Sequence, residues 1–319
     1  MTTYDVFNGD ADGICALIQL RRAEPLKAEL LTGVKRDISL LDRVDVASAE
    51  RVTVLDVSLD KNRGPLEQLL AAKVPVFYCD HHFAGEIPES EHLQAHINTA
   101  PDVCTSLLVN GHLDGAYARW GVVGAFGDNL DASARALGRT LDLDDETLDL
   151  YRRLGTYVNY NGYGAALEDL HFHPGELYQL MSTYDRPEDF VAGADTSFRR
   201  LADGYAGDMA SAEALEPEWS SERSAVFILP QAAWARRVSG VYGNSLANAT
   251  PSRAHAVLTH KREGGFLVSV RAPLNDKRDA DTLCRQFETG GGRSAAAGIN
   301  LLPEADLGRF IEALEATYA

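Results

Sequence analysis

Short apolar runs alternate with stretches of helical spacing along the first third of the chain. Tyr4-Asp5-Val6-Phe7 reads as a strand that stops at Asn8-Gly9-Asp10-Ala11-Asp12-Gly13, a loop of turn formers. Ile14, Leu17, Ile18 and Leu20 follow near helical spacing. Ala28 to Thr32 reads as a second strand. Arg51 to Asp56 and Val74 to Asp80 are apolar runs that each end in Asp, and Lys61 to Ala72 between them has a helical pattern. This alternation predicts a parallel sheet with helices on both faces. In open parallel sheets ligands bind beyond the carboxyl ends of the strands. Asp10, Asp12, Asp56 and Asp80 all fall where predicted strands end, so separate carboxylates are expected to converge on one sheet edge.

From Leu113 to about Leu180 the pattern is helical, with Trp120 to Leu130 apolar and Asp142 to Glu146 an acidic helix start that suits the helix dipole. Residues 185–221 are poorer in aliphatics and carry Pro187, Gly193, Gly204, Gly207 and Pro217, which reads as a linking region with some helix. Composition changes again at Ser224. A strand over Ala225–Leu229, a helix over Val238–Ala249 and a hairpin of 254–259 with 265–271 are predicted. A helix over Ala280–Phe287, a glycine loop at 290–293, a segment over 295–302 and an amphipathic helix over Glu304–Tyr318 complete the chain. The fold class is α/β: an N-terminal parallel-sheet domain (1–185), a linker (186–222) and a smaller α+β C-terminal domain (223–319).

A length of 319 residues suits two domains, each long enough to bury a core. Thirty Lys and Arg stand against 47 Asp and Glu, a formal net charge of -17, with no strong basic stripe. Such a surface repels long polyanions, so long nucleic acid is not an expected partner. A small phosphorylated ligand is compatible, because bound metal and a few arginines can reverse the field inside a cleft. Cys15, Cys79, Cys104 and Cys284 are far apart and form no metal-knuckle or disulfide framework; they read as small buried hydrophobes in a reducing compartment. No apolar run approaches the ~20 residues a membrane helix needs, and Met1 to Asp12 has no signal-like pattern. The expected location is cytoplasmic, with no membrane partner.

Four separated signals carry chemistry. They are Asn8-x-Asp10-x-Asp12-Gly13, Asp56 followed by Val57-Ser58, Asp80-His81-His82, and Asp128 in Gly127-Asp128-Asn129. Each alone has a plain structural reading: a turn, a helix cap, a hydrogen-bonded His pair. Together, on one predicted sheet edge, carboxylates with imidazole suit divalent Mn, Fe, Co or Zn. Paired ions polarise a phosphoryl group and supply a nucleophile near neutral pH.

The ordered set N-G-D-A-D-G, L-D-V-S, C-D-H-H and G-D-N resembles the four motifs of the DHH phosphoesterase superfamily, and the resemblance covers the whole chain. The second half resembles the DHH-associated domain through Val268-Ser269-Val270-Arg271 and Gly290-Gly291-Gly292-Arg293-Ser294. That pairing marks the branch of RecJ, nanoRNases and linear-dinucleotide phosphodiesterases. The resemblance implies two divalent ions, Mn first, with Mg, Co or Fe as alternatives. Asn8, Asp10, Asp12, Asp56, His81 and Asp128 would be the ligands, Asp56 bridging. It implies that His82 assists at the scissile phosphate, that Asp80 orients a His, and that Arg271, Gly290, Gly291, Gly292 and Arg293 grip substrate.

Two positions depart from the pattern. Asn8 stands where many relatives carry a His ligand, and Arg293 where many carry His after the glycines. The implied activity is hydrolysis of linear dinucleotides or very short oligonucleotides to nucleoside monophosphates, with a homodimer as the family's common assembly. A RecJ-like single-strand exonuclease, a cyclic-dinucleotide phosphodiesterase and a nucleotide bisphosphate phosphatase are the enzymatic alternatives. A nucleotide sensor that has lost catalysis is the non-enzymatic one, favoured only by Asn8. Tyr157 to Gly164 reads as a helix C-terminus with packed tyrosines before it reads as a base-stacking platform.

Overall fold

The computed structural model describes residues 1–193 and 196–319. The chain divides into two units, 1–204 and 205–319, and the division falls inside the stretch read as a linker.

In unit 1 the elements run β1 (Thr2–Phe7), α1 (Ala11–Ala23), β2 (Glu29–Leu31), β3 (Ala49–Leu55), α2 (Arg63–Ala71), β4 (Val76–Asp80) and β5 (Leu93–Ile97). Helices α3 (Thr105–His112), α4 (Ala118–Gly127), α5 (Asp131–Thr140), α6 (Asp145–Asn161), α7 (Pro174–Ser182) and α8 (Pro187–Ala192) follow. Helix α9 (Ser197–Glu213) contains the division. The five strands are all parallel, in the order β2-β1-β3-β4-β5. Side chains alternate across the pleat. Tyr4, Val6, Val52, Val54, Val76 and Tyr78 pack with Leu66 and Leu69 of α2. Phe7, Leu55, Phe77 and Cys79 pack with the helices that include α1, α4 and α6. Both faces are thus covered, which is why the central strands read as near-continuous apolar runs.

Asp5 interrupts this apolar face. The Arg21 guanidinium of α1 meets it in a fork, with Nε 2.8 Å from Oδ2 and Nη2 2.6 Å from Oδ1, and Nη2 also donates to Thr53 Oγ1 at 2.7 Å. Both charges are shielded from water, their side chains only 6% and 2% exposed.

Two differences from the sequence reading have plain causes. Strand β5 was not predicted, because an edge strand is half-buried and Leu93-Gln94-Ala95-His96-Ile97 mixes polar with apolar positions. The helical region expected from Leu113 begins earlier, at Thr105, and breaks at 113–117, where Asp114 and Gly115 have positive φ.

Unit 2 has β6 (Trp219–Ser220), β7 (Ser224–Leu229), α10 (Ala233–Ala249), β8 (Ala254–His260), β9 (Phe266–Arg271), α11 (Ala280–Cys284), β10 (Gly290–Arg293), β11 (Ala296–Leu302) and α12 (Leu307–Thr317). Its mixed sheet has the order β10-β11-β9-β8-β7-β6. Strands β7 and β8 are parallel through α10, and β8 and β9 form the expected hairpin. The glycine run, read as a loop, is instead the edge strand β10, paired with β11. Glycine is required at its first position, where a Cβ on Gly290 would lie 1.7 Å from the Cys284 carbonyl oxygen. Arg271, Ala296 and Arg293 are successive cross-strand partners, so both arginines sit in one row of the sheet.

Removing one member of a buried ion pair leaves an uncompensated charge, at a cost of about 3–5 kcal/mol. Arg21→Met is therefore expected to destabilise unit 1 by that amount in urea denaturation. Asp5→Val combined with Arg21→Met should lose much less, and equal losses in the two variants would contradict this.

Candidate metal centre

The sheet order places the carboxyl ends of β1 and β3 side by side, with β2 running away on the other flank. Connections from the two strands diverge there, the point where ligands settle in open α/β sheets. Asn8, Asp10, Asp56, His81, His82 and Asp128 line one cavity of about 140 Å³ at this edge, with Lys35, Asp37, Ile38, Val57 and Ser58. A larger groove of about 580 Å³ lies at the amino ends of the strands, lined by residues such as Thr3, Arg51, Val76 and Leu93. None of the candidate ligands lines it.

Asp10 and Asp12 are held by backbone amides. Asp10 caps α1: its Oδ1 accepts from the Asp12 and Gly13 amides at 3.0 and 3.1 Å. A Cβ on Gly13 would lie 2.3 Å from the Asn8 carbonyl oxygen, so glycine is required for α1 to start this close to β1. Asp12 reaches across to α3, where its two oxygens accept from the Thr105 and Ser106 amides, both at 2.7 Å. That satisfies two orphan donors at a helix start and explains why the helix begins at Thr105. Asp56 ends β3 with φ 59°, a left-handed conformation costing most residues about 1–2 kcal/mol. Asp128 follows the last turn of α4.

The two histidines differ. His81 Nδ1 lies 3.1 Å from the Val103 carbonyl oxygen. A carbonyl only accepts, so Nδ1 carries a proton and donates it there. Nε2 faces Asp56 Oδ1 at 3.4 Å and Asp128 Oδ2 at 3.7 Å. An imidazole nitrogen set among carboxylates is a donor set suited to a divalent cation. Asp12, His81 and Asp128 form one group of ligand atoms within 4.8 Å of one another, and Asp56, His81 and His82 another. Both groups contain His81, so the residues present fit a divalent ion at His81, with Asp12 and Asp128 on one side and Asp56 on the other. His82 is turned to a different task. Its Nδ1 lies 2.7 Å from Oδ1 of the fully buried Asp80, and this hydrogen bond raises the imidazole's pKa against the opposing effect of burial.

Crowding shows in the acid–base behaviour. Burial, then the charges of Asp10, Asp12 and Asp80, push the Asp56 carboxyl well above the usual range. Burial and Asp12 push Asp128 up to about 6. Burial also works on Asp10, but the Lys35 ammonium and its hydrogen bond outweigh it, and Asp10 is lowered.

Lys35 and Asn159 were not foreseen. Lys35 Nζ lies 2.6 Å from Asp10 Oδ2 and 2.9 Å from Asn159 Oδ1. The clue was present, since Lys35 stands just beyond the short predicted strand 28–32, at the same edge as the aspartates. Asn159 lies in the helix C-terminus that Tyr157 to Gly164 was read as. Arg271 and Arg293 belong to unit 2: Arg271 donates to Asn244 Oδ1 at 2.8 Å, and Arg293 is exposed.

A carboxyl raised on folding contributes stability at low pH that is lost as pH rises through its folded pKa, for Asp128 between 3.8 and about 6. The metal-free protein is therefore expected to gain stability as pH falls from 7 to 5, and Mn2+ should remove that gain. Asp56→Asn is expected to stabilise the metal-free protein by about 1 kcal/mol and to abolish the rise in Tm on adding Mn2+. Thermal melts with and without Mn2+ check both, and destabilisation by Asp56→Asn would contradict the crowding.

No protein-family model and no curated protein sequence matches the chain. Solved structures do. A manganese-bound exonuclease RecJ superposes with a TM-score of 0.64 at 19% identity, covering 99% of this chain and 89% of that one. RecJ from Thermus thermophilus in complex with Mn2+ gives 0.61 at 17% identity, and this chain spans 52% of its length. A pGpG-specific phosphodiesterase from Vibrio cholerae gives 0.58 at 14% identity, covering 100% of this chain and 99% of that one. The motif order in the sequence and the arrangement of strands and helices thus agree: this chain has the fold of the DHH phosphoesterases.

Proposed function

We propose that this protein is a metal-dependent phosphodiesterase that hydrolyses linear dinucleotides, such as pGpG, or very short oligonucleotides to nucleoside monophosphates. The observation that carries the reading is His81 Nε2 set 3.4 and 3.7 Å from the Asp56 and Asp128 carboxyls, with Asp12 in the same ligand group as His81 and Asp128, at the β1/β3 edge. A divalent ion bound there, Mn2+ first among the choices, supplies positive charge to the phosphoryl oxygens and lowers the pKa of a water.

The chain's own residues supply the rest. Asp12 positions the start of α3 through the Thr105 and Ser106 amides, so the ion site and that helix are one rigid piece. Asp80 fixes the His82 ring and favours its protonated form. His82, 46% exposed at the cavity, can then give a proton to the departing oxygen of the ester. Asp80 acts one step removed from the chemistry, through the His82 ring.

A short substrate is favoured by the net charge of -17, which disfavours long strands. A neighbour of the same fold, from Vibrio cholerae, is a pGpG-specific phosphodiesterase. In unit 2, Arg271 and Arg293 share one row of the sheet. Guanidinium groups are suited to phosphate by their fork of donors.

With Mn2+, pGpG is expected to be cleaved faster than a twenty-nucleotide single strand, a cyclic dinucleotide or a nucleotide bisphosphate. Asp80→Asn should lower the rate by up to about 100-fold, the low end of what a positioned proton donor contributes. Faster cleavage of the long strand would replace this reading with an exonuclease. Tight nucleotide binding without turnover under any metal would replace it with a sensor.

A further inference from the structure

A lysine of this chain lines the same cavity as the acids. Three oxygens from three separate elements surround Lys35 Nζ. Asp10 Oδ2, at the start of α1, is 2.6 Å away; Asn159 Oδ1, in α6, is 2.9 Å away; and Asp128 Oδ1, after α4, is 3.7 Å away. Asp10 and Asn159 accept hydrogen bonds from the ammonium, and Asp128 adds an ion pair at longer range.

The lysine is placed by its backbone. Its amide donates to the Gly162 carbonyl at 2.8 Å, just past the end of α6. The Tyr163 ring lies 6.0 Å from Nζ. Nζ is thus gripped by the same helix end that supplies Asn159. A Cβ on Gly162 would lie 3.3 Å from Asp10 Cβ, so α6 ends directly against Asp10.

Asn8 completes the pattern. A His there would offer a ring nitrogen to a metal beside Asp10. Asn8 instead directs its Nδ2 toward the Lys35 carbonyl at 3.5 Å, and its buried Oδ1 has no hydrogen-bond partner. Asp10 in turn has both oxygens engaged, Oδ1 by the α1 amides and Oδ2 by Lys35. Among the described residues Asp12, Asp56 and His81 have no ion pair with Lys35, and Asp128 reaches it only at 3.7 Å. Asp10 and Asn159 thus serve Lys35, while Asp128 lies between the ammonium and His81.

We infer that the Lys35 ammonium is a built-in cation at the position a second metal ion would need, so that the centre takes one divalent ion, held by Asp12, Asp56, His81 and Asp128. This rests on the reading of the cavity as a metal centre. Asn8 is then the matching change: with Lys35 in place, a His ligand at residue 8 has no ion to bind.

The test is metal stoichiometry on the full chain, by equilibrium dialysis against Mn2+ followed by elemental analysis, with no substrate present. The wild type is expected to bind one equivalent per chain. Lys35→Ala is expected to bind two, because Asp10, Asn159 and Asn8 Oδ1 are released to a second ion. Lys35→Met, which keeps the length of the stem, serves if the alanine variant does not fold, and should also expose Asp10 to Mn2+. Two equivalents in the wild type would overturn the inference while leaving the metal centre standing. One equivalent in both wild type and variants would show that Lys35 is not what excludes the second ion, and would also overturn it. No bound metal in the wild type would remove the metal centre itself.

Discussion

Five aspartates, Asp10, Asp12, Asp56, Asp80 and Asp128, meet at one sheet edge, and four of them are 2% exposed or less. Like charges at this density cannot all remain ionised and unpartnered in a dry site. The fold resolves part of the conflict internally. Asp12 spends its hydrogen bonds on α3, Asp80 on His82, and Asp10 on α1 and Lys35. Asp56 and Asp128 stay crowded, both raised in pKa, with His81 Nε2 facing the two of them. The rest of unit 1 is arranged so that this conflict survives folding: apolar layers on both faces fix the strands, and buried pairs such as Asp5–Arg21 lock helix to sheet.

A site of this kind trades stability for chemistry. Asp56 adopts a left-handed backbone and holds a carboxylate against three others, two features that stabilise nothing on their own. They make sense together if a cation completes the site, since one divalent ion relieves repulsion that hydrogen bonds alone leave in place. The same economy bears on Lys35. An ammonium neutralises Asp10 without dissociating, which leaves a smaller charge for a metal to balance.

Much of this was legible in the sequence. Parallel strands ending in Asp identified the edge, because strand-end acids in a sheet buried on both faces have few structural uses. The residues expected as ligands in the N-terminal half lie together at that edge. What escaped was of two kinds. Half-buried edge strands, β5 and β10, lack the apolar runs that mark central strands, and glycines read as a loop serve in β10 to let backbones touch. Lys35 and Asn159 escaped because ligand patterns are read from acids, histidines and cysteines. A lysine that takes a cation's place belongs to none of these classes, and its partners lie 25 and 124 residues away in sequence.

The most direct measurement is anomalous diffraction at the manganese edge from crystals grown with saturating Mn2+. A peak within ligand distance of Asp12, Asp56, His81 and Asp128 is the predicted result. It would identify the carboxylate convergence as a metal centre and give the proposed phosphodiester hydrolysis its essential component. An empty cavity under those conditions, or manganese bound only elsewhere, would mean that the acids are held apart by protons and by Lys35 alone, and would contradict the reading of this edge as catalytic.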